Sequence, residues 1–122
     1  MDQQVTEVTI NGVDYIRKDA VREAETCDGL RYCIVRTYSA GVFAGYVKSR
    51  DGKEGVVLRA RRLHTWAGAA SLSQMAVDGP NQPDSCKFPC EVDRVELTEI
   101  IEVIPCTSKA KANIAKVPVW AA

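Results

Sequence analysis

Histidine is almost absent from this chain: His64 is the only one among 122 residues. It lies between Leu63 and Thr65, with no cysteine or carboxylate beside it. The common catalytic signatures are missing as well. There is no Gly-x-Ser-x-Gly elbow, no Gly-Lys-Ser/Thr phosphate loop and no Gly-x-Gly-x-x-Gly before a helix. The expectation is a protein with no catalytic residues. The enzyme alternative, a small nucleotide-signal hydrolase, rests on His64 alone.

Long hydrophobic runs are lacking too. The longest extend a few residues, against the roughly twenty needed to span a bilayer. The opening Met1-Asp2-Gln3-Gln4 lacks the basic start and apolar core of a secretory leader. A soluble protein with no membrane partner is expected. Five cysteines, at positions 27, 33, 86, 90 and 106, make an odd number. Without a leader that argues for reduced thiols in a cytosol. Cys86 and Cys90 stand four apart, but a zinc site needs two further ligands at a matching spacing. Small buried or half-buried thiols are the simpler reading. Neither metal nor cofactor is expected.

What the chain does have is ordinary globular composition, 46% hydrophobic and 26% charged. Its length fits one domain, large enough to bury a core without a metal or disulfide staple. Sixteen bases balance sixteen acids, yet the charges are segregated. Residues 1–30 carry seven acids against three bases, residues 31–62 eight bases against two acids, and residues 91–102 five acids against one base. Basic and acidic strands that neutralise each other as neighbours would explain this. A local anion site would explain it equally. Duplex nucleic acid is not expected as a partner, since its binders are basic across the domain.

The hydrophobic pattern predicts an α+β fold: an antiparallel meander with two or three short helices in a single domain. Val5–Ile10 and Val13–Ile16 flank Asn11-Gly12, a strong hairpin turn. A short helix is expected from Arg17 to Thr26, stopped by Gly29. Tyr32–Tyr38, Val42–Ser49 and Gly55–Ala60 then read as three strands, the last two joined through Asp51-Gly52. Trp66–Val77 is Ala-rich and suits a helix ending at Gly79-Pro80. Asn81–Pro89 reads as a loop. The β-branched content of Val92–Ile104 predicts one long strand with a bulge near Thr98. Thr107 is a good N-cap for a helix over Ser108–Lys116, and Val117–Trp120 is expected to be extended, its aromatic against the body or a partner chain.

The run Arg36–Tyr46 joins two apolar strands through a small-residue corner that includes Ser39 and Gly41. Strand interiors avoid glycine, so Gly41 and Gly45 suggest that backbone or ligand comes close there. Arg59, Arg61 and Arg62 cluster before the expected helix start, where free N–H groups and arginine forks suit phosphate. The alternative is that these arginines lie over the sheet and pair with Glu96, Glu99 or Glu102. Among aromatics able to stack on a purine, Phe88 in its loop is the least explained by packing.

The run Tyr32–Tyr46, together with Ala60-Arg61-Arg62-Leu63, Trp66–Gln74, Cys86-Lys87-Phe88-Pro89 and Val117–Trp120, resembles the phage Thoeris anti-defence sponge proteins of the first described type. The resemblance covers about residues 31–120, with residues 1–30 as an N-terminal extension. It implies a non-enzymatic protein that sequesters a TIR-generated signal, glycocyclic ADP-ribose, in the cytoplasm of an infected bacterium. It also implies a symmetric homo-oligomer built on dimers, with a hexamer as one candidate size, and in some relatives a separate site for cyclic di- or trinucleotides. The candidate ligand-binding residues are Arg36, Ser39, Gly41, Arg61, Arg62 and Phe88. A module with no small ligand is the structural rival.

Overall fold

Three β-rich segments with short turns between them dictate the centre of the molecule. In the computed structural model, which describes residues 23–24 and 26–121, they form β1 (Tyr32–Thr37), β2 (Val42–Asp51) and β3 (Glu54–Arg62). Each pairs antiparallel with the next. The corner between β1 and β2 closes on Thr37, whose backbone N–H and Oγ1 both donate to the Gly41 carbonyl, at 3.0 and 2.7 Å. Gly41 takes φ +102°, a conformation that side chains with a Cβ resist. The expected hairpin over 5–16 lies outside the described residues, as does most of the expected helix over 17–26. At the end of that stretch Glu23 is extended, not helical, and bridges Thr107.

The segment expected to be one long strand is two: β4 (Glu91–Leu97) and β5 (Ile100–Pro105). The sheet order is β4-β3-β2-β1-β5, so these two consecutive strands occupy opposite edges. Both are antiparallel to the strand they pair with, and both run in the direction of β2. The chain therefore keeps its heading at Thr98-Glu99 and changes partner, from β3 to β1.

That connection forces curvature. Three Cα steps from Leu97 to Ile100 reach at most about 11 Å, whereas four strand spacings in a flat sheet measure about 19 Å. The sheet must curl until its edges converge at this end. Two backbone bonds hold the corner: Ile100 N–H donates to the Lys53 carbonyl at 2.8 Å, and Tyr38 N–H to the Glu99 carbonyl at 2.9 Å.

Curling creates two cores. Cys33, Val35, Phe43, Val57, Ala60, Leu97 and Ile100 form one, and all belong to strands, so the sheet itself covers this inner face. On the outer face Ile34, Ala44 and Leu63 pack under Met75, Ala76, Ala110 and Ile114. These come from two helices, α1 (Leu72–Val77) and α2 (Ser108–Ala115).

The first helix is shorter than the expected 66–77. Gly68 has φ +86°, which a helix cannot contain, and Ser71 caps the helix instead, accepting from Gln74 N–H at 3.2 Å. The second helix begins as the sequence predicts, with Thr107 Oγ1 accepting from Ala110 N–H at 3.1 Å. Beyond it Val117–Trp120 runs extended along the Phe88 loop. Val119 bridges Phe88, and Trp120 N–H donates to the Phe88 carbonyl at 3.0 Å.

Candidate functional site

A β-bulge in β3 decides which arginines reach which face. Side chains alternate along a strand, so Val57, Arg59 and Arg61 would share the inner face of an unbroken β3. The register with β2 slips here: Tyr46 opposes Leu58 while Ala44 opposes Arg61. The slip leaves Val57 and Ala60 inside and places Arg59 and Arg61 along the outer face. Arg59 absorbs the distortion with φ +51°, one of two non-glycine residues at positive φ among the described residues. Holding that conformation costs about 1–2 kcal/mol. Opposite the bulge, a Cβ on Gly45 would lie 2.7 Å from Val57 Cγ1 and 2.8 Å from the Leu58 carbonyl. What comes close at Gly45 is therefore the backbone of β3.

Arg61 and Phe88 are brought together, but inside the protein. Phe88 is fully buried in the outer core, which corrects its reading as a free stacking face. Arg61 is 8% exposed, and its guanidinium lies 5.5 Å from the Phe88 ring centroid. It donates to four carbonyls: Pro89 at 3.0 Å, Ile114 at 3.1 Å, Phe88 at 3.2 Å and Val117 at 2.7 Å. This one side chain fastens the sheet to the Phe88 loop, the end of α2 and the C-terminal strap.

The remaining candidates are dispersed. Arg36 is exposed and pairs with Glu102 across β1 and β5, Nε to Oε1 at 3.0 Å. Ser39 Oγ donates to Glu99. Arg59 pairs with Glu91 at 3.4 Å. Acidic strands thus lie beside basic ones and neutralise part of their charge. Arg62 lies at the inner-face end of β3 with its guanidinium 4.6 Å from the Phe43 centroid, and Gly41 is its neighbour. His64 is exposed, 2.8 Å from Thr65 Oγ1, with its ring 5.0 Å from that of Trp120. Cys86 is buried and hydrogen-bonded to backbone, whereas Cys90 is exposed. No cluster of three or more metal-ligating side chains occurs among the described residues.

A cleft of about 350 Å³ opens between the outer sheet face and α2. Tyr32 and Tyr46, directly paired across β1 and β2, form its wall with rings edge to face at 5.2 Å. Lys111 Nζ lies over both rings, 5.5 Å from the Tyr32 centroid and 5.1 Å from that of Tyr46. Arg59, Arg61, Glu91 and Val119 complete the lining that bears on chemistry. Three cations there face one carboxylate. Burial, helped by Cys106, Tyr46 and Glu91, pushes the Tyr32 hydroxyl pKa well above the ordinary phenol value, although Arg61 opposes this. Tyr32 is therefore a hydrogen-bond donor at neutral pH and a poor base. Burial also lowers the pKa of Arg61, but a guanidinium remains charged throughout the physiological range.

Tyr32, Tyr46 and Lys111 were missed as site residues. The tyrosines had a signal: they stand equally far from the Ser39 corner, so a hairpin folded there sets one against the other. Lys111 had none, since only the docking of α2 places it.

Residues 30–114 match the family model described as "Domain of unknown function (DUF6948)". No curated protein and no solved structure matches the chain. No helix among the described residues is long and apolar enough to cross a membrane.

Proposed function

The chain belongs to this DUF6948 family of unknown function, and we propose that it is a non-enzymatic protein that binds and sequesters a cyclic ADP-ribose-type nucleotide signal. The observation that carries this reading is the cleft. It joins two aromatic rings to Arg59, Arg61 and Lys111 in one concavity. Phosphates want arginine and lysine donors, and a nucleoside wants an apolar or aromatic wall with a few polar groups.

The same cleft favours holding over turnover. Burial holds its Tyr32 hydroxyl in the protonated form, and its carboxylate, Glu91, already accepts from Arg59. His64 is absent from the lining and contacts Thr65 and Trp120. A sponge needs tight binding and slow release, with no transition state to stabilise. About 350 Å³ is at the small end of ligand sites, which run from about 300 to 1,000 Å³. A second copy of the chain closes over the rest of the ligand, in a symmetric oligomer built on dimers.

In this reading the ligand is glycocyclic ADP-ribose, and the protein acts in the cytoplasm of a phage-infected bacterium to block Thoeris-type immunity. The test is to incubate the protein with glycocyclic ADP-ribose, denature it by heat and chromatograph what is released. Recovery of unchanged ligand, in amounts matching the protein, is the expected result. Release of ADP-ribose overturns it in favour of a hydrolase, with His64→Ala as the next variant. If calorimetry detects no binding, the pairing of Arg36 with Glu102 and of Arg59 with Glu91 favours an interaction module without a small ligand.

A further inference from the structure

Arg61 is a buried cation whose hydrogen bonds are nearly complete and whose charge is not balanced. Four of its five N–H groups reach backbone carbonyls, and the one left over is on Nη1, which makes a single bond, to Ile114. Among the described residues no carboxylate lies within ion-pair distance of it. Carbonyl dipoles and the end of α2 offset part of the charge, but a buried ion is costly until an opposite charge approaches. Its open side is the cleft.

Two further cations point to the same volume. Lys111 projects from α2 over Tyr32 and Tyr46 and forms no ion pair among the described residues. Arg59 reaches the cleft only because the β3 bulge holds it at φ +51°. Glycine would occupy that position without strain, and backbone strain of this kind concentrates at functional positions. The carbonyls that would repel an anion, Ile114 in α2 and Val117 in the strap, are already occupied by Arg61.

We infer that Arg59, Arg61 and Lys111 form a phosphate seat at the floor of the cleft, with the two tyrosines as its wall, and that the chemical class it takes is a pyrophosphate. The identity of the molecule carrying that pyrophosphate, a cyclic nucleotide, rests on the function proposed above; the seat itself does not. It replaces Arg36 and Arg62, which lie elsewhere, as the phosphate-binding positions.

Isothermal titration with inorganic pyrophosphate, then with glycocyclic ADP-ribose, tests this on the full chain. The wild type is expected to bind pyrophosphate, more weakly as salt rises. Lys111→Ala is expected to weaken binding about tenfold, the loss of one charge-assisted contact. Arg59→Gly is expected to weaken it similarly while leaving the urea midpoint unchanged or higher, and Arg36→Ala to have no effect. Failure of the wild type to bind pyrophosphate, or equal binding by Lys111→Ala and wild type, overturns the seat. Glycocyclic ADP-ribose binding that survives Lys111→Ala and Arg59→Gly also overturns it, while leaving the sequestration reading intact. Lys111-dependent pyrophosphate binding without nucleotide binding supports the seat and removes the reading of the ligand.

Discussion

The Arg61 guanidinium donates to the Val117 carbonyl at 2.7 Å across 56 positions of sequence. A residue at the end of the meander is thereby joined to the strap that closes the chain. The same fork holds Phe88, Pro89 and Ile114. Its first task is architectural, and its exposure to the cleft is a consequence of where that task puts it.

Arg61→Ala therefore should lose far more than a surface contact. The Pro89 and Val117 carbonyls lose their charged donor, while those of Phe88 and Ile114 keep only backbone N–H bonds from Trp120 and Val117. A loss of about 2–5 kcal/mol is expected, since each polar group left unpaired costs about 1–3 kcal/mol, read as a lower urea midpoint. Arg61→Lys should recover only a part, because an ammonium cannot spread four bonds over a planar fork. Wild-type stability in Arg61→Ala would show that the strap is held by other contacts.

Gly45→Ala tests the bulge. Its Cβ has no room between Val57 Cγ1 and the Leu58 carbonyl, and relief requires β3 to move away from β2. Overpacking of this kind costs about 1–3 kcal/mol. Chemical denaturation should show it, and an unchanged midpoint would mean that the two strands approach less closely than described.

Thr107 performs two tasks at the start of α2. Its Oγ1 accepts from Ala110 N–H and donates to the Val77 carbonyl at 2.5 Å, tying the end of α1 to the cap. Thr107→Ala is expected to cost about 1–2 kcal/mol, and Thr107→Ser to restore most of it. Thermal melts of the two variants separate the hydroxyl from the methyl group; equal losses would contradict the capping role.

Stability should fall on the alkaline side. Burial raises Cys106 from the ordinary thiol value to about 12, with Cys33 adding to the shift, and Cys33 itself is raised, mainly by burial. Each acid binds its proton more tightly in the folded state. The contribution is complete below the unfolded thiol pKa, near 9, and is lost as pH rises towards 12. Buried Tyr32 acts in the same direction. Urea titrations from pH 8 to 11 should show declining stability, with the decline reduced in Cys106→Ala relative to its own value at pH 8. A parallel pH dependence in that variant would remove Cys106 as a cause.

Local signals were legible wherever a short segment decides its own conformation. The meander, the Asp51-Gly52 turn, the Thr107 cap and the stop at Gly79 all depend on residues within a few positions. The helix over 66–77 failed at Gly68, whose positive φ exists beside Asn81 of a later loop. The long strand over 92–104 was right in its heading and wrong in its pairing. Propensity sees extended backbone and cannot see that the sheet curls and offers a second edge.

The same division separates the candidate residues. Sequence alone determined where the positive charge lies, since eight bases fall in residues 31–62 against two acids. Tertiary structure decided which cations are available. A one-residue bulge sent Arg59 and Arg61 to the outer face, while Glu102 engaged Arg36. The docking of α2 added Lys111, which no linear pattern marks, over the two tyrosines that the hairpin sets side by side. The reason is physical: composition fixes how much charge a chain carries, but burial and pairing depend on partners tens of residues away.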